Sequence, residues 1–230
     1  MRLKDHQIQT VDFYHQTEGR CLNISEPGTG KTATIAQYAK DLGVPVLILC
    51  PATVKGSWAK ELKLWGGIEA HILQGMDAEV PTDAQAIVLN YDISKALVPK
   101  LVHYPYGLVV FDECHMLSNR MAARTKAALA LARRSTKVIG MSGTPINNRP
   151  ADFWPILNII QPKMFPAFAG FAWKYCDPVR KPWGWDYTGS SNLEHLHQTI
   201  KSFTVGYKLE DVVPLPKRTI TVVNVGFYRY

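Results

Sequence analysis

Two short strings combine residue types suited to chemistry on phosphates. The first is Ser25-Glu26-Pro27-Gly28-Thr29-Gly30-Lys31-Thr32. Gly28 and Gly30 let backbone N–H groups face phosphate oxygens, Lys31 can neutralise those oxygens, and the Thr32 hydroxyl can ligate Mg²⁺. Ser25 stands where the strict form of such a cradle has glycine, so a plain strand-to-helix turn bearing an exposed lysine competes as an explanation. The second string is Leu108-Val109-Val110-Phe111-Asp112-Glu113-Cys114-His115. Its apolar run delivers Asp112 and Glu113 to the C-terminal end of a strand, where open α/β sheets bind ligands. There Asp112 would hold Mg²⁺ and Glu113 would orient and deprotonate an attacking water. Alone, such a pair more often begins a helix; together with the cradle upstream it points to nucleotide hydrolysis.

The elements that must position these strings read as an alternation of strands and helices, the pattern of an α/β fold with a parallel sheet. Strands are expected at Cys21–Ser25, Val46–Cys50, Ala70–Leu73, Ala86–Asn90, Leu108–Phe111 and Lys137–Met141. Most are continuous apolar runs, as required of strands covered on both faces. Ile35, Tyr38, Ala39 and Leu42 recur at helical spacing, as do Val54, Trp58, Leu62 and Trp65, and an earlier helix is expected near Asp5–Gln16. Past Asn148, Asp152 is expected to cap a helix with Pro155 in its first turn and Ile156, Ile159 and Ile160 on its apolar stripe. The stretch Tyr175–Ser190 reads as an ordered loop pinned by aromatics. Ser191-Asn192-Leu193-Glu194 has capping-box spacing, and Thr219–Val225 reads as a strand.

The 230 residues suffice to bury a sizeable core. With 47% apolar and 20% charged residues, the chain is neither disordered nor a disulfide-stapled miniprotein. The longest apolar stretch, from Val44 to Val54, is broken by Pro45 and Pro51, so neither a membrane span nor a secretory signal is expected. The widely spaced Cys21, Cys50, Cys114 and Cys176 suit a reducing compartment. The net charge of +7 is concentrated between Met116 and Pro150, where Arg120, Arg124, Lys126, Arg133, Arg134, Lys137 and Arg149 meet no acidic residue. A polyanionic partner explains that window, and a solvated helix face explains it too.

Six strings in order resemble the superfamily-two helicase-like ATPases of Swi/Snf type, along nearly the whole chain. Gln7 after Leu3 fits the adenine-reading glutamine motif, and Glu26-Pro27-Gly28-Thr29-Gly30-Lys31-Thr32 fits motif I. Cys50-Pro51 with Trp58 and Glu61 fits motif Ia, and Leu89-Asn90-Tyr91-Asp92 fits motif Ib. Asp112–His115 is the DExH box, and Met141-Ser142-Gly143-Thr144-Pro145-Ile146-Asn147-Asn148 fits motif III. A finer resemblance, to the annealing-helicase (HepA-related) subfamily, lies in Lys174-Tyr175-Cys176-Asp177 and in Pro182-Trp183-Gly184-Trp185-Asp186-Tyr187-Thr188-Gly189-Ser190-Ser191-Asn192-Leu193. Leu215-Pro216-Lys217 is similar to the segment that closes the first lobe, although the usual preceding arginine pair is absent, with Gly206 and Tyr207 near those places.

The resemblance implies a RecA-like P-loop NTPase lobe that uses ATP and Mg²⁺ and steps along double-stranded or forked DNA together with a second RecA-like lobe. It divides the chain into an ATP-binding core over residues 1–150, an extension of the same lobe over 151–218, and a closing strand over 219–230. It makes Gln7 and the residues from Glu26 to Thr32 nucleotide contacts. Asp112 and Thr32 become the Mg²⁺ ligands, Glu113 the base, and His115, Ser142 and Thr144 the links to motif III. Lys55, Ser57 and Tyr91, with Arg120 and Arg124 of the basic window, are the candidate DNA contacts. A lobe without its partner is expected to be nearly inactive. The expected setting is a DNA-associated bacterial or viral enzyme in the cytoplasm. A nucleotide- or DNA-binding module acting in trans without turnover is the alternative, and a small-molecule kinase leaves motifs Ia, Ib and III unexplained. Trp58 is expected in the core, and Trp173, Tyr175, Trp183, Trp185 and Tyr187 as a packed plug in preference to a base-stacking platform.

Overall fold

A computed structural model describes residues 2–143 and 149–212. Thr144 to Asn148, the segment Leu215-Pro216-Lys217 and the strand expected over Thr219–Val225 lie outside the described residues.

The chain runs α1 (Asp5–Gln16), β1 (Arg20–Asn23), α2 (Lys31–Leu42), β2 (Val46–Cys50), α3 (Lys55–Glu61), β3 (Ala70–Ile72), β4 (Ala86–Asn90), α4 (Tyr91–Leu101) and β5 (Leu108–Phe111). It continues through α5 (Ala123–Ala132), β6 (Lys137–Met141), α6 (Pro150–Ile160), α7 (Phe168–Tyr175), β7 (Val179–Lys181), β8 (Gly184–Asp186), α8 (Leu193–Lys201), β9 (Thr204–Val205) and α9 (Leu209–Val212). Among the described residues, seven strands form one sheet in the order β3-β4-β2-β5-β6-β1-β9, every neighbouring pair parallel. Every residue of β2, β4 and β5 is buried, which is why these strands are unbroken apolar runs. Each such Val, Leu or Ile contributes roughly 1.5–3 kcal/mol through burial. The fold is the α/β architecture the alternation implies.

Parallel strands end on a common rim, and that geometry gathers the motifs. Reading along the sheet, motif Ib follows β4, motif Ia follows β2, Asp112 and Glu113 follow β5, Ser142 follows β6 and the glycine cradle follows β1. Chain past β9 closes over the cradle: Glu26 N–H donates to Tyr207 O at 2.9 Å, and Tyr207 N–H donates to Ser25 Oγ at 3.2 Å. Ser25 is buried, so its hydroxyl does work that a glycine at this place could not.

Several local expectations need correction. Helix α6 starts at Pro150, with Arg149 as N-cap and no side-chain cap bond. Asp152 therefore lies inside the first turn and Pro155 within the helix, because proline at the first helical position forms the better start. Helix α8 begins where the capping box was expected, but Asn192 is in the left-handed region (φ 49°) and makes no cap bond. Ser191 Oγ and Asn192 Nδ2 both donate to Lys174 O instead, at 3.0 and 2.7 Å. The stretch Tyr175–Ser190 contains an antiparallel hairpin, β7 with β8, and its tryptophans are not plugged into a core: Trp173, Trp183 and Trp185 are exposed while Tyr175 is buried.

Candidate active site

The cradle is built for close backbone approach. Gly28 and Gly30 have φ of 84° and 87°, the left-handed region where only glycine is free of strain. At Gly30 a Cβ would also lie 2.0 Å from Gln7 Nε2. Gln7 is buried and pinned against the loop, its Nε2 donating to Thr29 O at 3.2 Å and its Oε1 accepting Lys4 N–H at 2.9 Å. His6 Nε2 also lies 2.9 Å from Thr29 O. Thr29 Oγ1 donates to Glu26 O at 2.8 Å. The Glu26 carboxylate is engaged away from the cradle, accepting Leu209 N–H at 2.8 Å. Pro27 faces motif III: a Cβ on Gly143 would meet Pro27 Cδ at 2.7 Å.

Lys31 and Thr32 open helix α2, whose N-cap is Gly30. The competing turn with an exposed lysine is not what the structure shows. Lys31 is half-buried, and its ammonium donates to Ser25 O at 2.7 Å and Glu26 O at 3.3 Å. Burial lowers its pKa, while Glu113 and Asp112 pull it back up. The cation is thus parked on the cradle's own carbonyls, facing the acidic pair.

At the end of β5, burial raises the Asp112 carboxyl above the ordinary carboxylate range, offset by a Trp58 hydrogen bond and raised further by Glu113. Trp58 Nε1 donates to Asp112 Oδ2 at 2.8 Å, and Tyr91 Oη donates to Asp112 O at 2.7 Å. Glu113 holds φ 49°, ψ 50°, a left-handed backbone that costs a non-glycine residue energy and that clusters at functional sites. Glu113 Oε2 lies 3.2 Å from His115 Nδ1, His115 Nδ1 lies 3.0 Å from Ser142 Oγ, and Ser142 Oγ donates to Glu113 Oε2 at 3.5 Å. Ser142 N–H in turn donates to Asn23 O at the end of β1. The acidic pair, His115 and Ser142 therefore form one cluster beside the cradle. The third linking residue, Thr144, lies outside the described residues.

The donor set suits Mg²⁺, which prefers hard oxygens and is usually bound by one or two protein groups with phosphate and water. Thr32 offers a hydroxyl at the start of α2 and Asp112 a carboxylate at the end of β5. Among the described residues no three His, Cys, Asp or Glu side chains gather to hold an ion, so a metal here would depend on the nucleotide's own oxygens.

The DNA candidates divide. Ser57 is exposed on α3. Lys55 is not free for a phosphate: its Nζ donates to Leu73 O at 3.0 Å and to Asn90 Oδ1 at 3.2 Å, tying motif Ia to motif Ib. Tyr91 is buried, its hydroxyl spent on Asp112. Trp58 is in the core, as expected, but its indole N–H reaches the acidic pair, a contact that spacing alone does not reveal. Arg120 is exposed, its guanidinium 4.0 Å over the Phe168 ring, and Arg124 is partly buried on α5.

The SNF2-related domain profile matches residues 6–230. A curated relative, the SWI/SNF-related matrix-associated actin-dependent regulator of chromatin subfamily A-like protein 1 of Xenopus tropicalis, is 30% identical over 96% of this chain and 24% of its own length. The Caenorhabditis elegans homologue of that protein is 34% identical over 98% of this chain and 34% of its own length. The human DNA annealing helicase and endonuclease ZRANB3 is 26% identical over 94% and 22%. The chain thus spans between about a fifth and a third of these relatives. They are animal proteins, which gives no support to a bacterial or viral source. The Sulfolobus solfataricus SWI2/SNF2 ATPase core in complex with dsDNA shares the fold, with TM-score 0.77, 21% identity, and coverage of 90% of this chain and 45% of that one. With the glycine cradle, the DExH box and Ser142 of motif III meeting on one rim and the match running across the chain, the protein belongs to the SNF2-related domain family of helicase-like ATPases.

Proposed function

We propose that this chain is the nucleotide-binding lobe of an ATP-dependent double-stranded-DNA translocase, acting with a second RecA-like lobe to remodel or anneal forked DNA. The observation that carries this reading is the wiring at Asp112: side chains of motif Ia (Trp58) and motif Ib (Tyr91) both bond the residue that would ligate the metal. A shift of the DNA-facing motifs is thereby felt at the hydrolytic centre through two hydrogen bonds. The annealing direction is supported by the Trp183–Leu193 string and by the relatives' names, and the setting is DNA-associated.

In this reading Lys31 exchanges its bonds to Ser25 and Glu26 for the phosphates, and the backbone N–H groups of the cradle complete their seat. Thr32 and Asp112 would hold Mg²⁺, which would neutralise phosphate charge. Glu113 orients and deprotonates the attacking water, positioned by His115 and Ser142. Gln7, fixed against Thr29, would read the base with its remaining N–H. Phosphates of the DNA are met by Ser57 and by Arg120, with Lys55 and Tyr91 positioning the two motifs from inside. Residues 1–150 form the core, 151–218 its extension, and 219–230 the path toward the second lobe.

A lobe that lacks a trans-acting arginine forfeits roughly 10³ to 10⁵ in rate, so this chain alone should hydrolyse ATP very slowly. In a polypeptide carrying both lobes, Glu113→Gln should keep nucleotide affinity and lose DNA-stimulated hydrolysis, whereas Asp112→Asn should also weaken the Mg²⁺ dependence of binding. Calorimetry and a phosphate-release assay distinguish the two. Equal loss of nucleotide affinity in both would reverse these assignments, and full DNA-stimulated turnover by the single lobe would refute the half-site.

A further inference from the structure

Three of the chain's six tryptophans stand on one protrusion, with Trp173 62%, Trp183 84% and Trp185 42% exposed. Leaving indole surface in water costs stability, and such concentrations of apolar surface mark interaction sites. The cluster is ordered rather than loose. Trp173 and Trp185 meet edge to face with ring centroids 5.0 Å apart. Arg180 is the direct cross-strand partner of Trp185, its guanidinium 5.8 Å from that ring. Trp183 occupies the turn between the strands.

The hairpin has a rigid foot. Thr188 donates both its N–H and its hydroxyl to Asp186 Oδ1, at 2.9 and 2.7 Å. Tyr187 packs edge to face on Phe168, centroids 5.1 Å apart, and Ser191 N–H donates to Tyr175 O at 2.9 Å. Trp185, held in this way, can receive a flat ligand with little loss of side-chain entropy, and Trp183 adds an open indole face at the turn. The charge around them is mainly positive: Lys174, Arg180 and Lys181 lie within the protrusion, and Arg149 is close enough to act on Asp186. Asp177 and Asp186 are the acids of this stretch, and Asp186 is occupied by Thr188.

Indole faces interleaved with cations match the two halves of a nucleotide, base and phosphate. An acidic or apolar protein segment would use only one of them. We propose that the β7–β8 hairpin with Trp173 is a binding site for an unpaired nucleic-acid strand, stacking bases on Trp183 and Trp185 and pairing the backbone with Arg180 and Lys181. The site is separate from motifs Ia and Ib. Those hang from β2 and β4, whereas α7 and the hairpin follow α6, which packs on β6 and β1. A fork presents both a duplex and an unpaired strand; the lobe would meet the duplex at motif Ia and the unpaired strand at the hairpin, whose foot adjoins Arg120 through the shared Phe168 ring. This inference rests on the DNA-remodelling reading for its ligand class only.

The test is a titration of this chain, without nucleotide, against a fluorescein-labelled oligothymidylate, an abasic strand of equal length, and a duplex. Base stacking is lost on replacement by alanine at a cost equal to roughly 5- to 150-fold in affinity per base. Trp183→Ala and Trp185→Ala should each weaken oligothymidylate binding by a factor in that range, leaving the abasic strand and the duplex bound as by the parent. Arg180→Gln should lower the salt slope by about one counterion. Trp183 touches little else, so its variant keeps the test decisive if Trp185→Ala fails to fold, which a melting curve shows. Unchanged oligothymidylate affinity in Trp183→Ala would overturn the site and assign the surface to a protein partner such as the second lobe. Equal losses on the abasic strand would overturn stacking. Because no nucleotide is present, failure here leaves the ATP-binding reading standing.

Discussion

Asp112 is the residue at which motifs Ia and Ib meet the acidic pair, and the hydrogen bond from Trp58 is one that a single substitution removes while keeping an aromatic ring in place. Trp58→Phe keeps an aromatic ring in the core and takes away the donor, leaving a largely buried carboxylate short of a partner. Removing one partner of a buried charged group costs about 1–3 kcal/mol, so urea denaturation should show a loss of that size, accompanied by weaker Mg²⁺-dependent nucleotide binding. A Trp58→Phe variant with parental stability and metal dependence would mean that the 2.8 Å contact carries no energy. The acids themselves are legible in the sequence because an apolar strand ending in Asp-Glu follows a glycine cradle upstream. The inward turn of Lys55 and Tyr91 is not, since their partners Leu73, Asn90 and Asp112 come from other strands and no local pattern announces them. Lys31 misleads for the same reason: its carbonyl acceptors are local, but the burial that draws it inward comes from the assembled rim.

Among the elements, β2, β4, β5 and β6 coincide with their apolar runs in the sequence, because a strand covered on both faces leaves an uninterrupted hydrophobic signal. Short strands leave none. β9 has two residues and pairs with β1 only because the chain returns there, and the hairpin strands have three each, with exposed side chains that read as loop. The approach of α6 to β6 is equally hidden until the layers are stacked. A Cβ on Gly140 would meet Ile160 Cδ1 at 2.8 Å and Leu22 Cδ2 at 3.0 Å, so this glycine serves helix–sheet contact rather than a turn. Gly140→Ala should destabilise by about 1–3 kcal/mol through overpacking, read as a lower denaturation midpoint. An unchanged midpoint would show that α6 can shift without cost.

For the whole molecule, closure of the core is testable through its thiols. Cys21, Cys50, Cys114 and Cys176 are all buried. Burial pushes Cys21 and Cys50 up to about 12, Cys176 up to about 11, and Cys114 higher still. The thiolate is the reactive form, so none should react with a thiol-specific disulfide reagent at neutral pH until the protein unfolds, and all four should then appear together. Rapid reaction of one thiol in native buffer would reveal a local opening. No helix among the described residues is long and apolar enough to cross a membrane, and the +7 charge suits a polyanion. The central claim is that the rim of this sheet holds ATP through Lys31 and its glycine cradle. Titration calorimetry of ATP·Mg²⁺ into the chain and into Lys31→Ala, each with a melting curve, tests it most directly. Heat of binding should be present in the parent and absent in the variant, with both folded; equal affinity in two folded proteins would contradict the claim.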